Sequence, residues 1–127
     1  TTEQIINDLY ARISGHRWDV TAAARGISRR AAAAIVAGCH EDSFGVDAVW
    51  PLFVQQAGGF TLTEVQTEGL EFETADQYGD EVAAAGDESV WKVRIDSDVR
   101  RWAHRLRLAT IEAEAMAPYQ ARLTRSH

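Results

Sequence analysis

Residues 60–95 read FTLTEVQTEGLEFETADQYGDEVAAAGDESVWKVRI. At the start of this stretch apolar and polar side chains alternate, the period of a strand with one face buried. Phe60, Leu62 and then Glu64 lie on one face, with Thr61, Thr63 and Val65 on the other. Glu68-Gly69 supplies a turn, Leu70-Glu71-Phe72-Glu73 alternates again, and Val90 to Ile95 makes a third such run. Between the second and third runs, Asp76 to Glu88 reads as a polar loop in which Ala83 to Ala85 have room for a helical turn. Two strands on a tight turn and a third returning after a long loop predict a small three-stranded antiparallel sheet, one face on helices and one in water. Lys92 and Arg94 would then stand across from Glu71 and Glu73, each cross-strand pair contributing up to about 1 kcal/mol.

On either side the period is helical. Ile5, Ile6, Leu9 and Ile13 predict a first helix over Thr2 to Ser14, with Thr2 as cap and Gly15 as stop. Trp18 to Gly38 reads as two short helices broken at Gly26, the first capped by Asp19 and the second by Ser28. Asp47 to Gln56 carries Val49, Trp50 and Phe53, and Pro51, which belongs in a first turn, allows a start as late as Val49 or Trp50. Asp96-Ser97-Asp98 caps a long last helix to Ala117, with Pro118 as its stop. Its Val99, Trp102, Leu106, Ala109, Ala113 and Met116 form an unbroken apolar seam, fit for the core or for a homodimer. The sum is an α+β fold in a single domain: a helical part over 1–57, an acidic sheet part over 58–95, and a C-terminal helix and tail over 96–127.

Charge is the most informative part of the composition. From Glu41 to Val90 there are twelve acidic residues and no Lys or Arg, so the overall −6 is assembled from about +2, −12 and +4 in chain order. No apolar run approaches the roughly 18 residues of a membrane span. The opening TTEQIINDLY has no basic region before an apolar core, so it is not read as a secretory signal. With Cys39 the one cysteine, no intrachain disulfide can form, and a cytoplasmic setting is expected.

The order helix, Gly turn, helix over residues 18–37 resembles the helix-turn-helix family, carried by Ala22, Gly26, Ile27, Ser28 and Ile35. That resemblance implies a small DNA-binding regulator in which Arg29 and Arg30 open the recognition helix and Arg25 stands beside them. Two departures weaken it: Arg25 takes a place the family keeps apolar, and Ala31 to Ala34 give the helix little with which to read a base edge.

No phosphate loop, dinucleotide fingerprint, nucleophile elbow or zinc-ligand spacing occurs. Cys39-His40-Glu41-Asp42 is a row of potential ligands, but adjacent side chains do not converge on one metal, and a helix end is the plainer reading. Neither a catalytic role, nor a cofactor, nor a metal is therefore expected. Of four tryptophans, Trp102 is expected in the core, while Trp50 and Trp91 are expected as exposed anchors. Closely spaced carboxylates on a small scaffold can imitate the charge of a DNA duplex, about one per 1.7 Å of axis. In size and charge the chain resembles phage-encoded inhibitors of restriction or CRISPR complexes. The leading expectation is thus a non-enzymatic protein that binds a basic protein partner through Glu64, Glu68, Glu71, Glu73, Asp76, Asp80 and Glu81. The alternative is the DNA regulator using Arg25, Arg29 and Arg30.

Overall fold

The computed structural model describes residues 1–22, 24–67 and 79–125. In chain order its helices are α1 (Thr2–Ser14), α2 (Arg29–Gly38), α3 (Val46–Ala57), α4 (Gly79–Ala85), α5 (Glu88–Asp96) and α6 (Val99–Arg125). Among the described residues there is no strand, so the expected α+β fold and its three-stranded sheet are overturned: the protein is helical. Residues 60–67 run without a ladder partner, and Leu70 to Glu73 lie outside the described residues. Val90 to Ile95, the third expected strand, is the body of α5. Trp91 and Ile95, four apart and so on one helical face, are its buried side chains, packed on Val82 and Ala85 of α4. Val93, which an alternating strand would bury with them, is 71% exposed. Asp87 fixes the start of α5 by accepting the Val90 N–H at 2.9 Å.

The ends of α1 follow local chemistry. Thr1, one residue before the expected cap, accepts the Gln4 N–H through its hydroxyl at 3.2 Å, and the Thr1 backbone nitrogen donates to Gln4 Oε1 at 2.7 Å. Gly15 closes the helix at φ 79°, a conformation costly to a residue with a Cβ. The helix expected from Asp19 does not form, because the would-be cap is used elsewhere. Asp19 Oδ1 accepts from the Thr21 amide and hydroxyl at 3.1 and 2.6 Å and from Asn7 Nδ2 at 3.0 Å, while Asn7 Oδ1 accepts the Val20 N–H at 3.0 Å. That turn is tied back onto α1, with Val20 buried beneath it. Ser28 does cap α2, accepting the Ala31 N–H at 3.1 Å.

Both prolines lie inside helices. Pro51 sits in the second turn of α3, where Ala48, Val49, Leu52 and Val54 are buried, and apolar burial outweighs the one backbone bond that proline removes. Pro118 does not stop α6: Met116 is fully buried and Tyr119 packs on the same cluster, which holds the helix in register across it.

The chain divides into two compact units, one of Thr1–Glu64 with Arg107–His127 and one of Val65–Leu106. The core of the first gathers Ile6, Tyr10, Ile13, Val20, Ala48, Leu52 and Met116, with Leu9, Trp18 and Tyr119 against them. The second is centred on Trp91 and Ile95. No helix of the described residues is long and apolar enough to cross a membrane.

Within the first unit the backbone at the start of α3 comes very close to α6. A Cβ added to the buried Gly45 would run into the Ala115 methyl. The φ of Gly45, −61°, suits any residue, so the objection to a side chain there is steric. Gly45→Ala is therefore expected to lower stability by about 1–3 kcal/mol in urea unfolding followed by circular dichroism.

Candidate functional site

In the second unit, Glu81 on α4 faces α5 and the start of α6. Its Oε2 accepts from the Trp91 indole N–H at 3.2 Å and from the Arg101 guanidinium at 3.0 Å. The indole bond first, and then Arg101, hold the Glu81 carboxyl below its usual range. Glu81, Trp91, Arg94, Asp98 and Arg101 line a shallow cleft of about 310 Å³. Asp98 caps α6 through the Arg100 N–H at 2.9 Å and pairs with the Arg100 side chain at 3.6 Å. Arg105 pairs with Asp96 at 2.9 Å and lies over the Trp102 ring, 5.1 Å from its centroid. Trp102 donates its indole N–H to the Asp96 carbonyl at 2.6 Å.

Two of the tryptophan expectations are thus reversed, Trp91 being 4% exposed and Trp102 42%, while Trp50 is half-buried. The apolar seam of α6 is divided along its length. Val99 and Leu106 are 79% and 58% exposed, whereas Met116 is sealed in the core of the first unit.

Of the acidic residues expected to meet a partner, Glu64 falls exposed in the first unit, and Asp80 and Glu81 fall exposed in the second. Glu68, Glu71, Glu73 and Asp76 lie outside the described residues. Among the described residues, Arg101 pairs with Glu81 of the stretch, while Arg100 and Arg105 pair with Asp98 and Asp96, beyond it.

The three arginines of the DNA-binding alternative separate. Arg25 is half-buried, donating to the Val20 carbonyl at 2.7 Å and standing 4.0 Å from Asp47. Arg30 donates to the Gly59 carbonyl at 2.6 Å and lies over the Phe60 ring, 4.2 Å from its centroid. Arg29 is exposed at the start of α2. The first helix that such a motif needs is missing, since no helix occurs among the described residues between Gly15 and Ser28.

A different cluster, not singled out in the sequence, occupies the first unit. Glu112 of α6 is only 5% exposed, and its Oε2 has no hydrogen-bond partner. Burial, and after it the Asp47 charge, push its carboxyl up to about 7, with Arg25 opposing and Glu41 reinforcing the shift. Burial also raises Asp47, against the pull of Arg25. Glu41 is turned toward its own loop, accepting the Ser43 N–H at 3.1 Å. Tyr10 is wholly buried, and burial pushes its phenol up against the opposing pull of the Ser14 hydroxyl and of Arg25. One guanidinium therefore serves two carboxyls, Asp47 of α3 and Glu112 of α6. The sequence signal for Glu112 was its place four residues before Met116, on the face that α6 buries.

Among the described residues, no group of His, Cys, Asp and Glu is arranged to hold a metal ion. Cys39 is half-buried and His40 exposed.

No family model matches the chain, and neither a curated protein nor a solved structure matches it.

The Arg30 contacts have a direct consequence. Arg30→Ala removes a charge-assisted bond and a cation–π contact, both near solvent, and is expected to lower stability by about 1 kcal/mol in urea unfolding.

Proposed function

We propose that this protein is a non-catalytic binding protein whose acidic stretch engages a basic site on another protein, as a mimic of nucleic-acid charge. One observation carries the reading. The stretch from Glu41 to Val90 holds −12 with no cationic side chain of its own, and the neighbouring arginines Arg100 and Arg105 pair outside it. A field of that density raises encounter rates with a positively charged groove and falls off with salt. The partner class proposed is a DNA-binding nuclease complex of the restriction or RNA-guided type, in a cytoplasmic setting where Cys39 stays reduced. The contact residues proposed are Glu64, Glu68, Glu71, Glu73, Asp76, Asp80 and Glu81. Glu81 is the weakest of them, because Trp91 and Arg101 already occupy its carboxylate. The DNA regulator is the less favoured reading, since Arg25 and Arg30 are engaged within the chain.

The test is cleavage of duplex DNA by restriction and RNA-guided nucleases with and without the protein, across a salt series. Inhibition that weakens with salt is expected, and it should vanish when Glu71, Glu73, Asp76 and Asp80 are all changed to Lys with the helical circular dichroism retained. Inhibition undiminished by that reversal, or none against any nuclease of either type, would sink the proposal. So would salt-sensitive binding to random duplex DNA that disappears when Arg29 and Arg30 are both changed to Ala.

A further inference from the structure

We propose that the buried Glu112 carboxyl is a proton-operated latch, in which the C-terminal half of α6 packs tightly on α1 and α3 while Glu112 is protonated and loosens once it ionises. The geometry supplies each part of this. Met116, one turn beyond Glu112, is fully buried in the cluster that includes Tyr10 of α1 and Leu52 of α3. The approach of Gly45 to Ala115 leaves no slack beside them. Glu112 itself is 5% exposed with Oε2 unpartnered, so ionisation places charge on a buried carboxyl one of whose oxygens no donor reaches. Three segments contribute charged groups to its surroundings, Arg25 before α2, Glu41 after it and Asp47 on α3, while Tyr10 of α1 belongs to the buried cluster around Met116. On α6 itself the nearby Glu114 is exposed. Arg25 is the one cation among these groups, and it stands 4.0 Å from Asp47, with one of its nitrogens donating to Val20. Two further carboxylates thus oppose the ionised form of Glu112, and the one cation that offsets it is shared with Asp47.

The direction follows from proton linkage. The Glu112 carboxyl is raised from 4.5 to about 7 in the folded protein, so the folded state holds the proton more tightly than the unfolded chain does. Packing is most favourable below about 4.5 and weakens progressively as pH rises through about 7. Asp47, also raised, acts in the same sense, whereas Asp19 and Glu81, both lowered, act only below their ordinary range. Neutral pH therefore lies on the slope of the latch.

Two measurements on the full chain test this. In the first, the Glu112 side-chain carboxyl is followed by carbon NMR during a pH titration of the folded protein. A midpoint near 7 is expected, and a midpoint in the ordinary carboxylate range overturns the proposal. In the second, thermal unfolding is compared between the wild type and Glu112→Gln, which keeps the shape of the protonated acid. The wild-type Tm is expected to fall from mildly acidic to mildly alkaline pH, with the unfolding equilibrium constant rising roughly tenfold or more. Glu112→Gln should flatten that fall and raise the alkaline Tm above wild type. A variant with the wild-type slope overturns the latch, because the pH dependence would then belong to other groups. Asp47→Asn, which removes the largest like charge, should move the Glu112 midpoint down, and an unmoved midpoint counts against the proposed surroundings.

Discussion

Arg25 is the one cation among the carboxyls that the first unit draws into its interior. It bonds the Val20 carbonyl, stands against Asp47, and moderates Glu112 from a distance. Removing a charge from water costs several kcal/mol unless a partner receives it, and here one guanidinium is shared by Asp47 and Glu112, with the Glu41 charge adding to the load on Glu112. Such a set cannot be fully ionised without strain on the packing around it. The apolar cluster that holds α1, α3 and the end of α6 together is therefore built over a polar site with one proton in play. The stability of this unit is set jointly by methyl groups and by a carboxylic acid.

The second unit manages charge in the opposite way, at its surface. Its arginines lie within reach of acids close in sequence, Asp98 for Arg100 and Asp96 for Arg105, and of Glu81 for Arg101. Pairs of this kind in solvent contribute little to stability, typically below about 1 kcal/mol each. Interior acids are thus held by burial and a shared cation, and the described surface acids by pairs in solvent.

How much of this could be read from the sequence depends on the range of the deciding interaction. Ser28 and Gly15 act within a turn of the helices they bound, and both were legible. Asp19 was misread because the groups that claim its carboxylate include Asn7 on a different element, and a capping residue cannot show in advance which amide it will serve. Val90 to Ile95 was misread for a different reason. Trp91 and Ile95 satisfy both the alternating and the helical period, and in so short a run only the packing partner decides. That partner is Val82 with Ala85, which the sequence placed in a polar loop with at most a helical turn at its end. Pro51 and Pro118 were given their usual local meaning, which burial of Leu52 and Met116 overrides. At Glu112 the helical face was legible in the spacing to Met116, but the three segments that surround it meet only in the folded chain.

Pro51 has one more effect on α3. Lacking an N–H, it leaves the carbonyl of Asp47 without its usual bond one turn on, at the residue whose carboxyl faces Arg25. That turn is held instead by its own buried side chains, Ala48 and Val49, and by the close approach of Gly45 to Ala115. The position of the Asp47 carboxyl beside Arg25 is therefore set by apolar packing more than by the helix's own hydrogen bonds, and a cavity made at Ala48 or Val49 would displace a charge.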